Sequence, residues 1–174
     1  HRDLHSFPTR RSSDLASIDQ RTINTSFRIN LNLSPDLTLQ YWGQPFIATG
    51  KYYDYKYVTD PLADKYHDRF SLYSDDQLRS NDEGFDVDEN RDGINDYFVE
   101  YSDFNFKEFL SNLVVRWEYN PGSSVYLVWS QTRNKFDSTG DLNVLDDLGD
   151  LFDKTADKPH NVFLIKFSYR FGIK

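Results

Sequence analysis

The acidic stretch Asp88–Asp96, with the sequence DENRDGIND, has the residue types and the spacing of a calcium-binding loop. Calcium prefers oxygen ligands, and such loops supply them from positions 1, 3, 5 and 9, from the backbone carbonyl of position 7, and around a glycine at position 6. The predicted ligands are therefore Asp88, Asn90, Asp92, the carbonyl of Ile94, and Asp96. Position 12 is Val99 rather than the bidentate glutamate of an EF-hand. The pattern predicts a weak calcium site, with a solvated acidic loop as the alternative.

Other residues with catalytic potential do not form a recognisable set. His67 lies among carboxylates in the segment 64–68, where it could bind a metal or act as a base, but an exposed loop histidine is the favoured interpretation. Adjacent acids such as Asp75 and Asp76 do not supply the fixed separation that glycosidase chemistry needs. The loop tyrosines that could stack on a sugar are Tyr52, Tyr53 and Tyr55. The sequence thus predicts no catalytic residue, and a glycan-active hydrolase is the third of three functional hypotheses.

Composition excludes several classes of protein. The net charge is −8, with 28 acidic against 20 basic residues, so no basic stripe is available to neutralise nucleic-acid phosphates. The sequence has no cysteine, which excludes a disulfide framework and a thiolate metal site. It has no run of about 18 apolar residues, which excludes a transmembrane helix. An aromatic content of 17% is typical of a β protein with long polar loops rather than of a disordered chain.

The stretch Glu108–Arg133 predicts a β-hairpin. Apolar and polar residues alternate along its first arm, which places Leu113, Val115, Trp117 and Tyr119 on one face. Asn120–Ser123 has turn chemistry, because proline presets φ and glycine tolerates a positive φ. Each arm has about ten residues, the length that a tilted strand needs to cross a bilayer.

Three further segments alternate with a period of two residues, namely 22–33, 37–49 and 161–171. In the last segment Phe163, Ile165 and Phe167 lie on one face, and Lys166 and Arg170 lie on the other. In the middle segment Gly43 and Pro45 predict a bulge or a bend. With the hairpin, these segments predict five strands in an antiparallel up-and-down meander.

The predicted connections alternate between short and long. Residues 34–36 and 120–123 are short turns, whereas 50–105 and 134–159 are long and acidic. Outer-membrane barrels have short periplasmic turns and long extracellular loops. We therefore expect an all-β fold that forms the last ~5 strands of a transmembrane β-barrel in a Gram-negative outer membrane. Its long loops would be extracellular and its C-terminus periplasmic, and the alternative is a soluble β-rich, calcium-dependent binding module for a ligand such as a carbohydrate.

Residues 1–15, HRDLHSFPTRRSSDL, show no strand or helix period. They resemble the translation of a sequencing-adapter fragment fused to a truncated metagenomic gene, and a natural basic linker is the alternative. We exclude them, with His1 and His5, from the fold and site predictions. The sequence contains no methionine. We expect residues 16–174 to be the C-terminal part of a longer barrel domain.

Four motifs cover most of residues 20–174: LTLQYWGQPFIATGKYYDYK (37–56), DPLADKYHDRF (60–70), FNFKEFLSNLVVRWEYNPGSSVYLVWSQTR (104–133) and NVFLIKFSYRFGIK (161–174). Together they resemble a family of Gram-negative outer-membrane proteins with an N-terminal family-9-type carbohydrate-binding module and a C-terminal β-barrel of unknown function. The resemblance implies a structural or transport-type segment that contacts outer-membrane lipid. It implies carbohydrate binding only through an upstream module that this sequence lacks, and it places no catalytic residue here.

Overall fold

The computed structural model describes residues 5–6, 14–153 and 158–172, and its strands pair antiparallel. The strands are β1 His5–Ser6, β2 Asp14–Asn24, β3 Phe27–Ser34, β4 Leu37–Val58, β5 Phe70–Leu72, β6 Leu78–Ser80, β7 Gly84–Val87, β8 Tyr97–Glu100, β9 Phe104–Asn120, β10 Ser123–Asp137 and β11 His160–Ser168. A 3₁₀ turn, Tyr66–Arg69, and one helix, α1 Val144–Asp150, complete the described elements. The all-β, antiparallel prediction is confirmed. No helix in the described ranges is long and apolar enough to cross a membrane.

One sheet has the order β1-β2-β4-β9-β10-β11, with β3 and β5 also paired to β4, and a second sheet has the order β6-β7-β8. The chain divides into two compact units. Unit 1 comprises residues 1–21, 49–105 and 138–141, and unit 2 comprises 22–48, 106–137 and 142–174.

Unit 2 contains five strands in the order β3, β4, β9, β10, β11, as the sequence pattern predicts. The first predicted strand, 22–33, is however interrupted at residues 25–26, and residues 22–24 belong to β2. β10 pairs with β11 from Ser124 opposite Ser168 to Thr132 opposite His160. β3 pairs with β4 from Phe27 opposite Gly43, and the register shifts near the end of β3 rather than at Gly43. The ring of Phe27 lies over Gly43, where a Cβ atom would come within 2.5 Å of it. Gly43 thus accommodates an aromatic ring inside a continuous strand.

The short turns of unit 2 lie at one edge of its sheet. The amide of Glu118, near the β9–β10 turn, donates to the carbonyl of Asp36 in the β3–β4 turn at 2.8 Å. The amide of Arg170, beyond β11, donates to the hydroxyl of Ser123 at 3.1 Å. Gly122 has φ +80°, as the predicted turn requires. Both short turns and the C-terminal end of β11 therefore share this edge.

The sheet of unit 2 has one consistently apolar face and one face that mixes polar residues with Val128, Val162 and Leu164. Strand pairs such as Leu127 with Ile165 and Trp129 with Phe163 lie on one face, because paired residues point the same way. A shallow apolar cavity of about 250 Å³ lies on this face and is lined by residues of β4, β9 and β10. We call this surface the apolar face and assign to it, by register, alternation and the shared cavity, Phe27, Ile29, Leu31, Leu37, Leu39, Tyr41, Leu113, Val115, Trp117, Val125, Leu127, Trp129, Phe163, Ile165 and Phe167. Within the described ranges its residues are half-buried or exposed, and Phe163 and Phe167 are 74% and 72% exposed.

The two predicted long loops contain regular structure. β4 continues without interruption through residues 50–58, and β5 to β8 follow within residues 70–100. Ala16, Val87 and Val99 form a small buried core in unit 1. In the second predicted loop, 134–159, β10 runs on to Asp137 and α1 follows in unit 2, whereas residues 154–157 lie outside the described ranges. The sequence patterns did not predict α1.

Residues 1–15 contribute little to the described structure. β1 pairs with β2 at His5 opposite Ala16 and Ser6 opposite Leu15. Most of this segment, including His1, lies outside the described residues. The adapter resemblance therefore stays a prediction.

Candidate functional site

The predicted calcium loop connects two strands of the small sheet in unit 1. β7 and β8 pair from Gly84 opposite Glu100 to Val87 opposite Tyr97, and the amide of Asp96 donates to the carbonyl of Val87 at 2.7 Å. Val87 of β7 and Val99 of β8 are buried in the core of unit 1. The hairpin therefore holds both ends of residues 88–96 in place.

Asp88 is the centre of this loop. Its side chain is buried, with the residue only 1% exposed. Its two carboxylate oxygens accept hydrogen bonds from the amides of Asp92, at 3.1 Å, and Gly93, at 2.8 Å. Gly93 has φ +88°, a conformation that glycine adopts readily, so it allows the sharp turn that position 6 of a calcium loop requires. The guanidinium of Arg79 lies 3.8 Å from the same carboxylate.

The other predicted ligands belong to the same turn network. The amide of Ile94 donates to Asp92 at 2.8 Å, and the amide of Asp92 donates to Asn90 at 2.8 Å. The amide of Glu89 donates to Asp96 at 2.8 Å. The loop thus brings the predicted residues together, but their oxygens accept backbone hydrogen bonds. Among the described residues, no group of three or more histidine, cysteine, aspartate or glutamate side chains is arranged to hold a metal. Calcium binding stays a prediction.

The three tyrosines considered for sugar stacking do not act as one surface. Tyr55 packs edge-on against Phe85 with ring centroids 4.8 Å apart, and Tyr52 packs against the buried core of unit 1. Burial raises the pKa of Tyr55 to about 12. Tyr53 is more exposed and lines an open cavity of about 410 Å³ with Ile18, Asp19 and Lys51. Only Tyr53 of the three is free to present its ring to a ligand.

His67 lies in the 3₁₀ turn and is exposed. Its ring contacts the rings of Tyr66 and Phe70, with centroids 5.8 and 6.5 Å away. These contacts are those of a surface aromatic cluster. They give the histidine a packing role in this turn.

A buried ion cluster in unit 2 is the feature that sequence reasoning missed. The ammonium of Lys107 in β9 contacts Asp137 at 2.7 Å, Asp147 at 3.0 Å and Asp150 at 2.5 Å, and its side chain is 3% exposed. Lys135 contacts Asp150 at 3.2 Å from a more exposed position. The acids come from β10 and α1, far along the chain from Lys107. The one local signal for this cluster in the sequence is that Lys107 alternates in phase with apolar residues of β9 such as Phe109 and Val115.

The electrostatics of this cluster favour permanent charge pairing. Burial alone would lower the pKa of Lys107, but its hydrogen bonds to Asp137, Asp150 and Asp147 outweigh burial and raise that pKa. The hydrogen bond from Lys107 lowers the pKa of the Asp150 carboxyl. A lysine nucleophile needs a lowered pKa, so this ammonium is not prepared for covalent chemistry. The cluster instead fastens α1 to β9 and β10.

We expect Lys107→Met to destabilise the fold by about 3–5 kcal/mol, because it leaves buried carboxylates without their cation. The folded-state pKa of Asp150 is depressed, so its stabilising contribution is present above its unfolded pKa of about 3.9 and is lost as the pH falls through the folded value. In the variant, unpaired carboxylates bind protons more readily, so the deficit should shrink on acidification. Unfolding free energies at pH 7 and pH 4 measure this difference.

Lys135→Met is the matched control, since this lysine is more exposed and shares one close contact. Its loss should cost clearly less than that of Lys107. Equal effects of the two changes would show that the Lys107 cluster is not a buried structural centre.

We expect the loop 88–96 to bind calcium with a dissociation constant of about 10⁻⁴–10⁻³ M, since the bidentate glutamate is missing. Calorimetry in detergent should detect this heat in the wild type and lose it in Asp92→Ala. The control Asp75→Ala removes an acid outside the loop and should leave binding unchanged. If the wild type gives no binding heat at millimolar calcium, the calcium prediction is wrong and residues 88–96 are a solvated acidic loop.

No family model, curated protein or solved structure matches this chain. The family resemblance carried by the four motifs therefore stays a prediction.

Proposed function

We propose that this chain is a structural or transport-type segment of an outer-membrane β-barrel, in which the apolar face of unit 2 contacts lipid hydrocarbon. The observation that carries the proposal is the apolar face, whose residues are half-buried or exposed and which extends across all five strands. Contiguous apolar patches beyond a few hundred Å² are rare on soluble monomers and mark contact surfaces. Burying one large apolar side chain contributes about 1.5–3 kcal/mol, and a bilayer would supply that burial for every residue of the face.

The length of the apolar face fits a bilayer. Along β11 the face extends from Phe163 to Phe167, and the flanking Asn161 and Tyr169 mark its two ends. Residues 161–169 at about 3.4 Å per step cover roughly 27 Å along the strand, and a tilt of about 35–45° turns this into a height of roughly 20 Å, against the ~25 Å band of outer-membrane barrels. The face thus covers most of the thickness of the hydrocarbon layer.

Aromatic pairs lie at the short-turn edge. The rings of Trp117 and Tyr119 are 6.0 Å apart, and those of Tyr169 and Phe171 are 4.8 Å apart. All four side chains are exposed. Tryptophan and tyrosine are enriched where a membrane meets water, since their rings are apolar and carry one polar group. This edge therefore suits the periplasmic headgroup layer, in agreement with the expected position of the short turns.

The opposite face suits a wet interior. Arg28 pairs with Trp42 across β3 and β4, and both line a cavity of about 300 Å³ with Gln40 and Asn112. Arg116 and Glu118, also in phase with Asn112, form an ion pair at 2.5 Å. Barrel interiors are polar, whereas the competing soluble binding module would place its apolar face inward and cover it. A link to surface carbohydrate handling rests on the sequence resemblance alone.

Single-tryptophan variants test the lipid contact directly. Trp117 lies on the apolar face and Trp42 on the polar face, so each reports one side of the same sheet. We expect lipids brominated in their acyl chains to quench Trp117 strongly and Trp42 weakly when the chain is folded into vesicles. Equal quenching of the two, or no quenching of Trp117, would contradict the proposed orientation.

A charge placed on each face gives an independent prediction. Ile165→Arg on the apolar face should cost about 2–4 kcal/mol near the bilayer midplane and impair membrane assembly. Ser168→Arg, on the polar face of the same strand, is the matched control and should be milder. Unfolding free energies of both variants in vesicles, relative to the wild type, measure the asymmetry. A larger cost for Ser168→Arg would reverse the assignment of the faces.

A further inference from the structure

Helix α1 has an unusual polarity for a helix in water. Its acidic residues Asp147 and Asp150 face the sheet, where they contact Lys107, and Leu151 is fully buried beside them. The apolar residues Leu145, in α1, and Phe152, two residues beyond the end of α1, are 81% and 57% exposed. A helix on a soluble protein has the opposite polarity, with its apolar stripe against the core.

The helix lies on the same face of the sheet as the apolar face. Phe152 packs against Phe109 with centroids 5.5 Å apart, and Arg133 donates to the carbonyl of Leu151 at 3.2 Å. Phe109 is in phase with Val115 along β9, and Arg133 is in phase with Leu127 along β10, so all four point to one side. Both contacts lie toward the strand ends away from the short turns. Helix α1 thus continues the apolar face at its far end.

A row of polar side chains, which includes Gln131 and Asn161, separates α1 from the apolar face. The amide groups of Gln131 and the indole of Trp129 both donate to the side-chain oxygen of Asn161, each at 2.9 Å. Trp129 also stacks on Phe163, with ring planes 3° apart. An indole with one polar and one apolar side is typical of a membrane–water boundary. The hydrocarbon contact of the sheet should end at this row, and α1 lies immediately beyond it.

We propose that α1 and Phe152 lie in the lipid headgroup layer on the side of the long connections, with Leu145 and Phe152 inserted toward the acyl chains. The inference rests on the proposed function and names the lipid contact of a segment outside the spanning strands. Interfacial helices bury their apolar side about 5–10 Å into the boundary between headgroups and chains. Seven residues are too few for a stable isolated helix, so the Lys107 cluster is what holds α1 there.

Lipid is the occupant that the surface favours over another protein. The outward side of α1 is continuous with the apolar face, which is itself proposed to contact lipid. The acids Asp147 and Asp150 are already neutralised by Lys107 and Lys135 on the inner side. The remaining acid of α1, Asp146, is exposed and accepts a hydrogen bond from the side-chain amide of Asn143, and beside it Leu145 gives the outward side an apolar contact of the kind that the boundary between headgroups and chains accepts.

The experiment uses the chain with Trp42, Trp117 and Trp129 replaced by phenylalanine, folded into phosphatidylcholine vesicles. Leu145→Trp and, separately, Phe152→Trp are added to this background. Lipids brominated near the headgroup end should quench both tryptophans more than lipids brominated near the chain end, whereas Ile165→Trp in the same background, at the middle of the apolar face, should show the reverse order. Ile94→Trp is the water control, since Ile94 is 71% exposed in the acidic loop, and aqueous acrylamide should quench it.

The outcomes separate this inference from the proposed function. If acrylamide quenches the tryptophan at position 145 as it quenches Ile94→Trp, while lipid quenches Ile165→Trp, the inference fails and the barrel proposal stands. Blue-shifted emission that neither lipid nor acrylamide quenches would indicate that the side chain is buried within the protein and would also overturn the inference. Absence of lipid quenching in Ile165→Trp overturns both. If circular dichroism shows that Leu145→Trp does not fold, the quenching of Phe152→Trp tests the inference in its place.

Discussion

Backbone pairing across five long strands determines where every side chain of unit 2 points. Because successive residues of a strand face opposite ways and the register is fixed by hydrogen bonds, a shift of one residue would exchange the apolar and polar faces completely. The turns hold this register, since the amide of Glu118 reaches Asp36 and that of Arg170 reaches Ser123. The apolar face, the polar cavity opposite and the boundary row at Asn161 all follow from that one constraint.

The Lys107 cluster shows how such a sheet can end its apolar face without leaving charges unpaired. A buried ammonium is costly to desolvate, and it is tolerated here because three carboxylates surround it. Two of those carboxylates belong to α1, which turns the acidic side of the helix inward and its leucine and phenylalanine side outward. The polarity of α1 is therefore a consequence of where Lys107 lies in β9. A neutral residue at this position would remove the reason for the helix to face that way.

The parts of the fold that sequence reasoning reached are those with local signals. Alternation along Phe27–Leu33 and Phe163–Phe171, and the proline and glycine of the β9–β10 turn, are readable without knowing any partner. The segment 50–58 carries no such clean alternation, and it is a strand because β4 continues into it and pairs with β5. The role of Tyr55 depends on Phe85, thirty residues away, and that of Lys107 on acids in β10 and α1. Such long-range contacts leave no periodic pattern in the sequence.

The two-residue turns of unit 2 also set an order of events during folding. β3 with β4, and β9 with β10, can each close a hairpin over two residues, whereas β4 must wait for β9 across residues 59–103. Loop-closure entropy makes that longer connection more costly by roughly 3 kcal/mol. Two hairpins should therefore exist before the central pairing of β4 with β9 joins them, and that pairing is the slow, non-local step. Regular structure within residues 59–103, above all the hairpin of β7 and β8, shortens the effective length of the connection and so should accelerate the step.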